Sequence, residues 1–117
     1  MSKRDYTLFL LDILECIERI EKYTKRTSLK QFLKNEQIID GVVRNLEIIG
    51  EAAKNIPRDI RNQAPEIPWK KIVGFRNILV HEYYNVDLEN TWYIIDKQLP
   101  ALKKQTKVLL KKIKSKK

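Results

Sequence analysis

Cysteine and histidine are almost absent from this chain, which has one of each, Cys16 and His81, among 117 residues. A single cysteine cannot close an intramolecular disulfide, which favours a reducing compartment such as the cytoplasm. One histidine and one cysteine also supply no cluster of metal ligands. We therefore expect a cytoplasmic protein without a metal site or cofactor, in which Cys16 is a small buried residue of the first helix.

Glycine is scarce and long apolar runs are missing. The three glycines, Gly41, Gly50 and Gly74, are isolated, so the chain has no glycine-rich phosphate loop. Each falls inside a helical pattern, where glycine costs about 1 kcal/mol relative to alanine. We expect close approach of another helix to compensate, above all at Gly50. No apolar run approaches the length of a membrane span or of a signal core, so no membrane association is expected.

The charge of the chain is uneven. Its net charge is +9, and residues 103–117 contain eight lysines and no acid, which leaves 16 basic and 15 acidic residues elsewhere. A lysine-rich C-terminal tail can attract RNA phosphates. It can equally be a solvated helix end, where lysines suit the negative end of the helix dipole. The nearly neutral remainder has the length of one domain, so we expect a single domain over residues 1–117.

Apolar residues recur at steps of three and four, which is typical of amphipathic helices. The pattern predicts long helices at about residues 5–24 and 36–56, a third that starts at Pro68, and a last one that starts after Asp87. A short turn of helix or a packed connector is expected within residues 27–35. No strand-like alternation is present. The sequence therefore predicts an all-α bundle of four main helices plus a short one.

Several residues mark the expected helix ends. Asn35 and Asp87 are predicted N-caps. Pro100 is expected to kink the last helix, because proline removes one backbone hydrogen bond and clashes with the preceding turn. Trp69 and Trp92 are expected to be core or interface anchors rather than platforms for stacked bases.

The residues that carry chemistry lie in the stretch 74–87, and they are Arg76, His81 and Tyr83. His81 is the only side chain whose ordinary pKa lies near neutral pH. An arginine can hold a phosphate through two parallel hydrogen bonds. Together they provide a proton-transfer group and a fixed positive charge, which are the minimal requirements for chemistry on a phosphodiester.

Helix geometry raises a difficulty for this pair. In a continuous helix Tyr83 lies within about 20° of Arg76 around the axis, but His81 lies about 140° away. The helix must therefore end or distort near Val80, or the two groups must meet across an interface. Metal-free RNA cleavage needs one group to take the proton of the 2′-hydroxyl and another to protonate the leaving oxygen. Since each chain has one histidine, we expect a symmetric homodimer with a shared cleft.

The spacing Arg-x4-His-x-Tyr also resembles the signature of the HEPN superfamily, in the form found in HepT-like toxins. The stretches RNLEIIGEAAK at 44–54 and PEIPW at 65–69 precede it in the order typical of that family, and the resemblance covers about residues 5–112. It implies a HEPN-type helical bundle and a metal-independent endoribonuclease toxin that acts as a dimer, with Arg76 and His81 as catalytic residues. It also implies an antitoxin that is a small nucleotidyltransferase of the MntA type, which attaches AMP to Tyr83.

Two other residues are candidates for a supporting role, and one alternative function stays open. Asn77 is expected to assist the site or to be an ordinary exposed helical residue, and Glu51 is expected to pair with Arg76 or with a neighbour across helices. The alternative is a non-catalytic helical module that partners a nucleotidyltransferase or binds a nucleotide. In that case His81 would be a structural residue at a helix C-terminus, and Tyr83 a core or rim aromatic.

Overall fold

The chain folds into helices joined by short connections. The computed structural model describes residues 5–81 and 87–115, and the side chains of all of these except Val80 and His81. In chain order the elements are α1 (Tyr6–Thr24), α2 (Leu29–Lys34), α3 (Glu36–Lys54), α4 (Arg58–Arg61), α5 (Trp69–His81), α6 (Leu88–Tyr93), a π-helical turn (Ile94–Gln98) and α7 (Leu99–Ser115). The described residues contain no strand, so the all-α prediction is confirmed.

The four long elements of the prediction are α1, α3, α5 and the continuous run of α6, the π-helical turn and α7. Two short helices, α2 and α4, are present, whereas the predicted bundle had one short helix in addition to the four main ones. A capping box explains α2: the backbone N–H of Gln31 donates to the hydroxyl of Ser28 at 3.2 Å, and the Gln31 side chain accepts from the N–H of Ser28. These reciprocal bonds satisfy two backbone donors and let a helix of six residues form.

Both predicted N-caps are confirmed. The side chain of Asn35 accepts from the N–H of Ile38 at 3.1 Å. Asp87 accepts from the N–H groups of Glu89 and Asn90 at 3.1 and 3.2 Å. Such bonds satisfy donors that the first turn of a helix leaves unpaired. They fix the start of α3 and the start of α6.

Pro100 distorts the last helix in the form of a π-helical turn, which occupies Ile94–Gln98 just before it. Proline has no N–H to offer to the carbonyl of Asp96, and its ring would clash with that carbonyl in a regular helix. A wider turn removes the conflict while the chain stays helical. The sequence predicts the place of the distortion, and the structure supplies its type.

The hydrophobic core lies where α3 packs against both α1 and α5, and α7 packs against α1. Leu10, Ile13, Ile17 and Ile20 form the fully buried stripe of α1. Buried apolar side chains at these steps bring most of the stabilising free energy of such a bundle. None of the helices in the described part of the chain is long and apolar enough to cross a bilayer.

The two tryptophans are anchors within this packing, as predicted. Trp69 is buried, and its indole N–H donates to the carbonyl of Ala64 at 3.1 Å. Trp92 is half-buried and packs on Phe32, with ring centroids 5.2 Å apart. Trp69 holds the start of α5, so it helps to fix the helix that carries Arg76 and His81.

Arg61 is a structural residue that sequence patterns do not reveal. Its guanidinium donates to the carbonyls of Ile56 at 3.0 Å and Ala53 at 2.8 Å, at the C-terminal end of α3. The same group lies over the ring of Trp69, 5.9 Å from its centroid. A cation at this end of a helix satisfies unpaired carbonyls and matches the helix dipole. Arg61 therefore couples the end of α3 to the start of α5.

The thiol of Cys16 is buried in α1, as expected for a small core residue. Burial raises its pKa from 9.0 to about 11. A raised pKa contributes stability that is complete below pH 9, where the unfolded thiol is still protonated, and is lost as the pH rises towards 11. In the folded state the thiol should also resist alkylation at neutral pH, because the thiolate is the reactive form.

We therefore expect the stability of the parent protein to fall by about 1 kcal/mol more than that of Cys16→Ala between pH 8 and pH 10. Urea unfolding of the two proteins at both pH values measures this difference, and the variant controls for lysines and tyrosines that titrate in the same range. Equal losses of stability in both proteins would show that the thiol titrates normally.

Candidate active site

Helix α5 carries three of the predicted site residues, Arg76, Asn77 and His81. Tyr83 lies outside the described residues. Since α5 includes His81, the backbone positions of Arg76 and His81 are about 140° apart around one helix axis. The structure describes α5 as far as His81, and residues 82–86 lie outside the described residues. An end or distortion of the helix near Val80 and a contact across an interface therefore both stay predictions.

Arg76 is held in place by two partners. Its guanidinium forms an ion pair with the Glu51 carboxylate on α3 at 2.8 Å and donates to the side-chain oxygen of Asn77 at 3.0 Å. The Arg76 side chain is 22% exposed, whereas that of Glu51 is 52% exposed. A guanidinium has five N–H donors, so these two contacts leave others for a phosphate. The arginine is therefore oriented and still able to bind an anion.

Gly50 lets α5 come close enough for this arrangement. A Cβ atom at Gly50 would lie 2.2 Å from Cβ and 2.8 Å from Cγ of Arg76, far inside van der Waals contact. The close approach predicted at Gly50 is confirmed. At Gly74 the same prediction is wrong, because no atom of the described residues lies within 4 Å of a Cβ built there. Gly74 lies on the outer side of α5, where nothing packs against it in the described part of the chain.

A cleft of about 330 Å³ opens beside Arg76. Side chains of α1, α3 and α5 line it, and they are Phe9, Asp12, Arg44, Glu47, Ile48, Glu51, Ala52 and Arg76. The lining thus combines three carboxylates, two guanidinium groups and three apolar side chains. The cleft shows that Arg76 borders a cavity large enough for a small ring system.

Asp12, Arg44 and Glu47 are cleft residues that the sequence analysis did not identify. Arg44, Glu47 and Glu51 follow at steps of three and four, so they share one face of α3. That spacing could have indicated a polar face beside the apolar stripe. The contribution of Asp12 could not be seen, because it depends on how α1 packs against α3.

The lysines in the described part of the C-terminal tail, residues 103–115, fall into two groups. Lys103 forms an ion pair with Glu21 at 2.8 Å, which raises the pKa of the lysine, and Lys112 donates to the carbonyl of Gln63 at 3.1 Å. Exposed lysines at steps of three and four share one face of α7, and they are Lys104, Lys107, Lys111 and Lys114. Most of the tail is thus the last turns of a packed helix, and RNA contact by its exposed face stays a prediction.

Comparison with known proteins identifies the family. A family model described as "Ribonuclease HepT-like" matches residues 13–109, which include Glu51 and the motif from Arg76 to Tyr83. The chain belongs to the HepT-like ribonuclease family. The resemblance drawn from the Arg-x4-His-x-Tyr motif is thereby confirmed, while the roles of the individual residues in this HepT-like chain stay predictions.

Relatives in other organisms cover nearly the whole chain. A Methanocaldococcus jannaschii protein named "Putative RNase MJ1380" is 42% identical over 93% of this chain and 100% of its own length. The "Probable ribonuclease HepT" of Thermococcus cleftensis is 42% identical over 86% of this chain and 92% of its own length. "Putative RNase TTE0752" of Caldanaerobacter subterraneus is 41% identical over 89% and 93%. No solved structure matches the chain significantly.

Proposed function

We propose that this HepT-like protein is a cytoplasmic, metal-independent endoribonuclease of the HEPN type, the toxin of a pair whose antitoxin is an MntA-type nucleotidyltransferase. The observation that carries the proposal is Arg76, which Glu51 and Asn77 hold at the edge of a cleft in a member of a ribonuclease family. A pre-oriented guanidinium is the donor that a phosphodiester needs when charge builds on its oxygens.

His81 supplies the proton transfer in this mechanism. The 2′-hydroxyl of the RNA loses its proton, attacks the adjacent phosphorus, and the leaving 5′-oxygen takes up a proton. Arg76 stabilises the charge on the non-bridging oxygens. One histidine cannot comfortably act as base and acid in the same turnover, so two copies of the chain provide the two histidines.

The outer side of α5 supports a dimer. Ile78 is 41% exposed there, Gly74 carries no side chain, and Asn77 is exposed. Positions 74, 78 and 81 follow at steps of four and three, so the backbone of His81 lies along the same helical face. An exposed isoleucine next to a glycine allows a second α5 to approach closely. A two-fold contact along this face would bring the two His81 residues together.

Glu51 and Asn77 act as positioning residues in this proposal. Both contact the guanidinium of Arg76, and Glu51 ties it to α3. Because the guanidinium is already fixed, little reorganisation is needed when the transition state forms. Glu51 and Asn77 contribute to the rate in this indirect way.

Cleavage of a labelled RNA in the presence of EDTA tests the metal-independent mechanism. We expect full activity in EDTA, because a histidine and an arginine supply the proton transfer and the charge that a metal ion would otherwise provide. The control is the same reaction with added Mg²⁺ after removal of EDTA. Activity that returns only with Mg²⁺ would contradict the mechanism.

Tyr83 is the proposed site of modification by the antitoxin. AMP groups would add negative charge and bulk at a phosphate-binding cleft and so exclude RNA. On co-expression with the neighbouring nucleotidyltransferase, mass spectrometry should find AMP on Tyr83, and Tyr83→Phe should escape neutralisation. Tyr84, the next residue in the sequence, is the natural control. AMP on Tyr84 or Tyr93 with Tyr83 unmodified would refute the assignment.

A further inference from the structure

The side chains that line the cleft beside Arg76 suit a flat ring that has polar groups on its edge. Phe9, Ile48 and Ala52 provide an apolar surface, and Glu47 supplies a carboxylate that is 26% exposed. The ion pair between Glu47 and Arg44 is long, 3.5 Å, and the Arg44 side chain is 71% exposed. Such an exposed pair contributes little free energy, so the carboxylate can exchange Arg44 for another donor at low cost.

The charge of the cleft argues against a second phosphate. Its three carboxylates outnumber its two guanidinium groups. An anion placed deep in the cleft would meet like charges at short range. The N–H groups on the edge of a nucleobase would instead meet acceptors, and charge-assisted hydrogen bonds of this kind are strong.

We propose that this cleft is a guanine-binding subsite, which takes the base of a nucleotide next to the phosphate bound by Arg76. The inference rests on the proposed ribonuclease function, since it names the part of the RNA that the same site recognises. Guanine presents an N1–H and a 2-amino group side by side, which suit a carboxylate with two acceptor oxygens. Glu47 accepts hydrogen bonds from these two N–H groups, Asp12 adds negative charge beside them, and Phe9 covers one face of the ring.

The proposed subsite also lies next to the phosphate-binding residue. Arg76 lines the cleft and carries the proposed phosphate-binding donors, and its ion-pair partner Glu51 lines the same cleft. An unstacked base in the cleft would place its own phosphate at the rim. Recognition of a single splayed base is how proteins most often read RNA sequence.

The test uses a pentaribonucleotide of uridines with one central guanosine, in which every 2′-hydroxyl is methylated so that no cleavage can occur. Inosine, which lacks the 2-amino group, and adenosine replace the guanosine in two matched probes. We expect binding to weaken about tenfold to hundredfold with inosine and at least as much with adenosine, because a hydrogen bond to a charged group is lost. Equal affinity for the three probes would overturn the subsite while leaving RNA binding intact.

Variants of Glu47 and Glu66 test whether the preference for guanosine over inosine arises in the cleft. Glu47→Gln should bring the affinities for guanosine and inosine within about threefold of each other, whereas Glu66→Gln, an exposed acid outside the cleft, should keep the parent's preference. A preference that survives in Glu47→Gln would place recognition elsewhere.

If no probe binds, the proposed RNA function fails, and titration with guanosine monophosphate, followed by NMR at Ile48 and Ala52, still tests the subsite. Unchanged signals of both residues would then reject it.

Discussion

His81→Ala should abolish RNA cleavage, and Arg76→Ala should lower its rate by about 10²–10³. His81 is the only histidine, and so the only side chain whose ordinary pKa lies near neutral pH, which leaves no neighbour to replace its proton transfer. Arg76 is the donor that Glu51 holds at the cleft. Both variants should stay folded, because the ion pair of Arg76 is partly solvent-exposed and such pairs contribute little to stability. Gel assays of a labelled RNA, circular dichroism and thermal melting measure these effects.

The matched control for Arg76→Ala is Arg58→Ala, which removes an exposed arginine of α4 outside the cleft. It lowers the net charge by the same amount, and we expect it to leave cleavage within about twofold, as is usual for surface substitutions. Parent-level cleavage by folded His81→Ala would reject the catalytic role and favour a non-catalytic binding module.

Mixing chains tests whether the two histidines share one cleft. If base and acid come from different protomers, a dimer of one parent chain and one His81→Ala chain is inactive. Random pairing of equal amounts then leaves roughly a quarter of the activity of an all-parent sample, because about one dimer in four has both histidines. Independent chains would retain roughly half. A monomer of the active parent in light scattering would contradict the dimer directly.

The features that the sequence could predict are those determined by residues close to them along the chain. Asn35 and Asp87 were predictable as caps because a cap bonds to backbone groups two or three residues away. The distortion before Pro100 was predictable because proline acts on its own preceding turn. The helix that carries Arg76 followed from the spacing of its apolar residues. Each of these signals lies within a few residues of the feature that it predicts.

What the sequence could not predict depended on contacts between distant segments. Arg61 stabilises the end of α3 from eight residues beyond Ala53, and no local pattern separates it from an ordinary surface arginine. Asp12 reaches the cleft only through the packing of α1 on α3. Close approach was expected at both Gly50 and Gly74, and above all at Gly50, yet of these two only Gly50 meets another helix among the described residues. Which face of a helix meets a neighbour is decided by tertiary packing.

Gly50→Ala should destabilise the protein by about 1–3 kcal/mol and reduce cleavage, whereas Gly74→Ala should stabilise the monomer by up to about 1 kcal/mol. Both substitutions improve helix propensity equally, so the difference between their effects on stability reports on packing alone.

At Gly50 the new methyl group would lie 2.2 Å from Cβ of Arg76, so α5 must move away from α3 and carry the arginine with it. At Gly74 the methyl group meets no atom of the described residues within 4 Å. Chemical denaturation of both variants, together with cleavage assays at a temperature where both are folded, measures the two effects. A Gly50→Ala protein as stable and as active as the parent would show that the contact between Gly50 and Arg76 does not position the site.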